Sequence, residues 1–110
     1  MEDKVLAGFT EEMWWLYRES LKRFGYNASY FREMLEERGP ISTARHLAGS
    51  PGHHEGLTKL YELGALDLSV EALIQRRPWR ELFDERTLAA ARKKLLDLNY
   101  SESDGGTFPA

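Results

Sequence analysis

The chain has 110 residues, 42% of them hydrophobic and 12% aromatic, which is enough for one core and leaves no room for a second domain. Its 15 basic and 18 acidic residues give a formal charge of −3, too even for a dedicated nucleic-acid binder or an acidic mimic of DNA. The absence of cysteine excludes disulfides, thiolate zinc sites and thiol nucleophiles, and fits a reducing compartment.

No apolar run approaches the ~20 residues of a membrane span. The opening MEDKVLAGF is too charged for a secretory signal. The expectation is a soluble cytoplasmic protein with no membrane partner.

Residues 1–9 read as a lead-in. Thr10 is a good N-cap, with Glu11 and Glu12 where the helix dipole favours negative charge. Trp14, Tyr17, Leu21 and Phe24 follow at helical spacing, and Gly25 is the stop. Asn27 is the expected cap of the next helix, whose apolar face is Tyr30, Phe31, Met34 and Leu35 and which Gly39-Pro40 ends. A short third helix spans Ser42 to Leu47.

The irregular GSPGHHEG follows, and the next helix starts either at Ser50-Pro51 or at Glu55. Leu57, Leu60 and Tyr61 are its inward residues, and Gly64 terminates it. Ser69 caps a helix that buries Val70, Leu73 and Ile74. Pro78 opens the turn holding Trp79, Leu82 and Phe83, with Trp79 read as a wedge between that helix and the last. Asp84 caps the last helix, carried by Leu88, Ala91, Leu95 and Leu98. Leu66-Asp67-Leu68 is the nearest approach to strand alternation, and it is short. The pattern predicts an all-α, compact bundle of about five to six short helices with no β-sheet, over residues 10–99. Residues 100–110 read as a flexible tail.

Laid out this way, GYNASYFREMLEERG, the Ile41–Leu47 helix, GLTKLYELGALDLSVEALI and PWRELFDERTLAAARKKL together resemble a group of small, uncharacterised bacterial all-helical proteins. The resemblance covers roughly residues 10 to 100. Its most specific parts are LDLSVEALI and the LF–x₄–L–x₂–AR–x₂–L spacing. Similar sequences usually end the first block with an aliphatic residue, where this chain has Gln75-Arg76-Arg77. The resemblance implies a fold and a bacterial setting, and no catalytic residue.

His46, His53, His54 and Glu55 are the one cluster with metal-ligand chemistry. Adjacent helical side chains diverge by about 100°, so His53 and His54 do not share an ion, and no metal or cofactor is expected. Asp67, Ser69 and Glu71 could be a carboxylate pair beside a hydroxyl, but capping of a tight helix-to-helix turn accounts for all three. Arg76, Arg77 and Arg80 crowd round Trp79, a pattern that can hold phosphate or stack on a base. Glu81, Asp84 and Glu85 lie near enough to offset them. Trp15 flanks the Trp14/Tyr17 stripe, and an exposed tryptophan marks a partner surface.

No nucleophile elbow, phosphate loop, dinucleotide fingerprint or zinc-binding HExxH helix is present. The first functional expectation is therefore a small, non-catalytic module acting through protein–protein interaction, with Trp15, Arg76, Arg77 and Arg80 as candidate contacts. The alternative is a helix-turn-helix-like DNA-binding protein. There Ile41–Ala48 and Gly56–Leu63 are the two helices, and Arg45, His54 and Lys59 meet phosphates. Against it, the connection exceeds the usual ~3–4 residues, and Lys59 is the only base on the second helix.

Overall fold

A computed structural model describes residues 2–100, with side chains from residue 4 onward. The first helix, α1 (Glu2–Phe24), carries Phe9, Met13, Leu16 and Ser20 on one face, all buried. It starts well before Thr10, whose hydroxyl is not a cap but donates back to the Leu6 carbonyl (2.9 Å). Phe9 and Met13 are wholly excluded from water. At roughly 1.5–3 kcal/mol for each such side chain, that burial outweighs the ~1 kcal/mol cost of a helical glycine at Gly8. The expected stripe is displaced by about 100°: Trp14 and Tyr17 are half-buried, edge to face at 6.2 Å, while Leu21 and Phe24 lie exposed.

Helix α2 (Ser29–Gly49) is two helical halves that meet at a kink at Gly39-Pro40, where the sequence pattern ends the first of them. Gly39 breaks the helical path (φ 83°, ψ 171°), a conformation that glycine tolerates, and Pro40 opens the second half at a first-turn position where its missing N–H costs nothing. The expected third helix is this second half. Asn27 is not the cap: Ala28 occupies that position, and the Asn27 amide oxygen accepts from the Tyr17 hydroxyl at 2.7 Å.

The chain re-enters a helix at Glu55, giving α3 (Glu55–Glu62). A 3₁₀ turn over Leu66–Leu68 leads to α4 (Val70–Leu73), where Ser69 Oγ accepts from the Ala72 amide as a cap should. A second 3₁₀ turn, Trp79–Leu82, precedes α5 (Glu85–Asp97), capped by Asp84 through the Thr87 amide at 2.8 Å. The described residues are thus all-α, without a strand.

Helix α2 is the hub, packing on α1, α4 and α5, while α4 also packs on α5. The Cα radius of gyration of 12.8 Å is that of a single ~100-residue domain, so these helices share one core. Trp79 wedges against α1 rather than between α4 and α5: its ring centroid lies 6.0 Å from Phe9, and Phe9 meets Phe83 edge-on at 5.5 Å. No helix among the described residues is long and apolar enough to cross a membrane. Of the expected tail, residues 100–110, all but Tyr100 lie outside the described residues. Tyr100 itself is no tail residue, since it is half-buried against the core and its amide donates to the Leu95 carbonyl at 2.8 Å.

Candidate functional site

Glu71 lies in the first turn of α4, where the dipole reading placed it, but that reading misses its main circumstance. Its carboxylate is wholly buried. Oε2 receives the His54 Nε2–H at 2.7 Å, and the Lys94 ammonium stands 3.8 Å away. His54 Nδ1 accepts the Leu57 amide (3.1 Å) and so caps α3, which assigns the proton to Nε2 in a neutral ring. Lys94 donates to the Leu47 carbonyl at 2.7 Å. Burial pulls this ammonium below the usual lysine range, with the Glu71 charge acting the other way.

One carboxylate and one ammonium thus balance inside the fold, and their bonds join the C-terminal end of α2, the N-terminus of α3, α4 and α5. Glu71 Oε1 and Thr43 Oγ1 are buried without a hydrogen-bond partner among the described residues.

Beside this set lies a cleft of about 700 Å³, between the end of α1, the start of α2 and α3. Leu16, Met34 and Leu60 form its apolar floor, and Tyr17, Tyr26, Tyr30 and Phe31 supply its rings. Tyr17 is fixed by its bond to Asn27. A Cβ on Gly56 would lie 3.3 Å from His54 Nδ1 and 3.6 Å from the Tyr26 hydroxyl, so the bare backbone there lets both side chains close in. Tyr26 is pushed above the usual phenol range by burial, then by the Glu55 charge. Tyr30 is 64% exposed, and the charged lining residues are Glu55, Lys59 and Glu62 on α3.

The residues singled out from sequence are scattered. Trp15 is half-buried under the Arg23 guanidinium at 5.9 Å, which itself pairs with Glu19. Arg76 turns inward and donates to the Asp67 carbonyl at 2.8 Å, so it acts as a clasp across the α4 region. Arg77 is exposed and Arg80 half-buried. None of these four lines the cleft. Arg45 is exposed and its charge reaches Asp84.

His54 is not placed to meet a phosphate, because both ring nitrogens are engaged within the fold. Lys59 is exposed but stands between Glu55 and Glu62 on the same short helix. His53 pairs with Asp97 at 3.7 Å, and no group of three or more His, Asp or Glu among the described residues could hold a metal ion.

Sequence reasoning weighed Glu71 only beside Asp67 and Ser69 and missed its pairing with His54 and Lys94, and it missed the cleft. Glu71 is the only charge in the apolar block from Leu68 to Ile74, and Lys94 falls three residues after the inward Ala91, so both signals were present. The cleft has no such signal, since Tyr17 and Glu55 are separated by most of two helices. Compared with known protein families, curated proteins and solved structures, the chain matches none.

Proposed function

We propose that this chain is a small, non-catalytic helical module that works by docking a partner protein, and that the aromatic cleft between α1, α2 and α3 is its working surface. The observation carrying this is the open 700 Å³ cleft with an apolar floor and a largely exposed tyrosine at its rim. Concave, mostly apolar sites with a few convergent polar groups are where proteins take ligands, and tyrosine is enriched at contacts that dominate binding.

Catalysis is a poorer account. The buried assembly of acid–base groups, His54, Glu71 and Lys94, has bonds that hold four segments together. DNA binding is poorer too, because α3, the helix that would enter a groove, carries two carboxylates to one ammonium. The bacterial, cytoplasmic setting belongs to this proposal and rests on the sequence resemblance and the absence of cysteine.

Photo-crosslinking tests the reading. With benzoylphenylalanine in place of Tyr30, irradiation in a bacterial host should join the chain to a defined protein. The same group in place of exposed Leu96, which does not line the cleft, should not. Equal crosslinking from both positions would overturn the cleft as the docking surface. Salt-sensitive retention of DNA, abolished by Arg45→Gln with Lys59→Gln, would return the function to nucleic acid.

A further inference from the structure

We infer that the cleft recognises a cationic side chain, an arginine presented by an extended segment of the partner protein. This rests on the docking reading above and adds the chemistry of the occupant. Three observations point the same way.

The first is charge. The cleft is lined by two carboxylates, Glu55 and Glu62, and one ammonium, Lys59, with His54 neutral in its assigned tautomer. Among the described residues no cation lies within 4.0 Å of either carboxylate, so neither is neutralised by a close partner. A phosphate or an acidic peptide would meet net repulsion there, and a cation would not.

The second is the rings. Tyr30 is 64% exposed at the rim, beside Tyr26 and Phe31, which are half-buried against the core, so an occupant of the cleft meets the Tyr30 ring first. Aromatic faces attract cations, arginine most often among protein groups, and more strongly where water is displaced.

The third is the placing of the two kinds of group. Glu55 and Tyr26 both line the cleft, and a Cβ on Gly56, the residue after Glu55, would lie 3.6 Å from the Tyr26 hydroxyl, so carboxylate and aromatic wall belong to one subsite. A guanidinium is flat enough to stack on a ring while its fork meets a carboxylate side-on, which a lysine ammonium cannot do.

The test uses the purified chain and a short, capped alanine–glycine peptide with a central arginine, followed by amide shifts at Asn27 and Gly56. Lysine, leucine and glutamate versions and free spermidine serve as comparisons. The arginine peptide should bind about 10-fold more tightly than the leucine or glutamate peptide and several-fold more tightly than the lysine one. Glu55→Gln, at an exposed position that leaves the fold intact, should remove about 10-fold of that affinity, and Tyr30→Ala several-fold. Equal binding of the leucine or glutamate peptide at the same amides would overturn cation recognition while leaving the docking reading standing. No arginine-dependent shift at millimolar peptide would also overturn it, and the crosslinking result would then judge the docking reading by itself. Spermidine binding more tightly than every peptide would overturn the assignment to a protein partner.

Discussion

The indole of Trp79 occupies the space that a side chain at Gly8 would need: an ideal Cβ there would sit 2.8 Å from Trp79 Cη2 and 3.2 Å from Cζ3. The glycine in the N-terminal half of α1 is thus the seat of the ring that pins this half of the helix to the second 3₁₀ turn. Gly8→Ala should lower stability by about 1–3 kcal/mol, because overpacking against a ring also held by Phe9 exceeds the gain in helix propensity. In a Trp79→Ala background the same change should stabilise by up to about 1 kcal/mol. Urea unfolding of the four proteins gives the coupling, and the same sign in both backgrounds would contradict the contact.

Lys94→Met should cost about 3–5 kcal/mol, since it leaves the buried Glu71 carboxylate without its counter-ion. Combining it with Glu71→Gln should recover a large part of that loss, because a neutral amide can still accept from His54. If the double change is as damaging as the two single costs added, the groups are not electrostatically coupled. Calorimetric melting of the three variants distinguishes the outcomes.

His54 has two separable tasks. His54→Asn can keep a capping oxygen at the start of α3 but cannot reach Glu71, whereas His54→Ala loses both. The asparagine variant should therefore be the more stable of the two by about 1 kcal/mol, the usual worth of an N-cap. Hydrogen exchange at Leu57, whose amide donates to the ring, should be fast only in the alanine variant. Equal exchange in both would remove the cap from the account.

Stability should respond to pH at both ends. The Asp84 carboxyl is held below the usual range by the Thr87 amide, then by the Thr87 hydroxyl. With its folded pKa depressed, its contribution is present above the unfolded value of 3.8 and is lost as pH falls through the folded one. Asp84→Asn cannot titrate, so its melting temperature should fall less steeply in that window. Lys94 acts at the alkaline end. Its folded pKa lies below the unfolded 10.5, so between the two the unfolded chain holds a proton the fold has released, and stability rises with pH. Tyr26 opposes this above 10.0, because there the unfolded chain ionises first. Lys94→Met should abolish the alkaline rise and leave the tyrosine loss. An unchanged alkaline profile would dissociate Lys94 from it.

Local signals in this sequence were legible because their physics is local. Ser69 and Asp84 cap helices through amides three residues ahead, and Leu88, Ala91 and Leu95 bury the face their spacing gives them. Two stripes on α1 have equally good helical spacing. Choosing Phe9, Met13 and Leu16 over Trp14, Tyr17 and Leu21 depends on the 3₁₀ turn some 70 residues later, which spacing cannot report. Glu71 was explained too early by the helix end beside it, whereas its partners lie 17 and 23 residues away in opposite directions along the chain. The candidate site, assembled from three helices, was legible only as separate aromatic and charged residues.

The Lys94–Leu47 hydrogen bond has a consequence for the order of folding. It closes across 47 residues, and the cost of taking the ammonium out of water is offset in part only when the Glu71 carboxylate is already in place. Helical turns and apolar collapse have no such condition, so they can run ahead while the two charges stay hydrated. The lock is then engaged on the native side of the rate-limiting barrier. Changes at Lys94 or Glu71 should steepen the escape from the native state and leave the speed of reaching it nearly untouched. In stopped-flow measurements that is a raised unfolding limb over an unmoved refolding limb. A protein built this way keeps its lifetime, rather than its speed of formation, in a few buried charges.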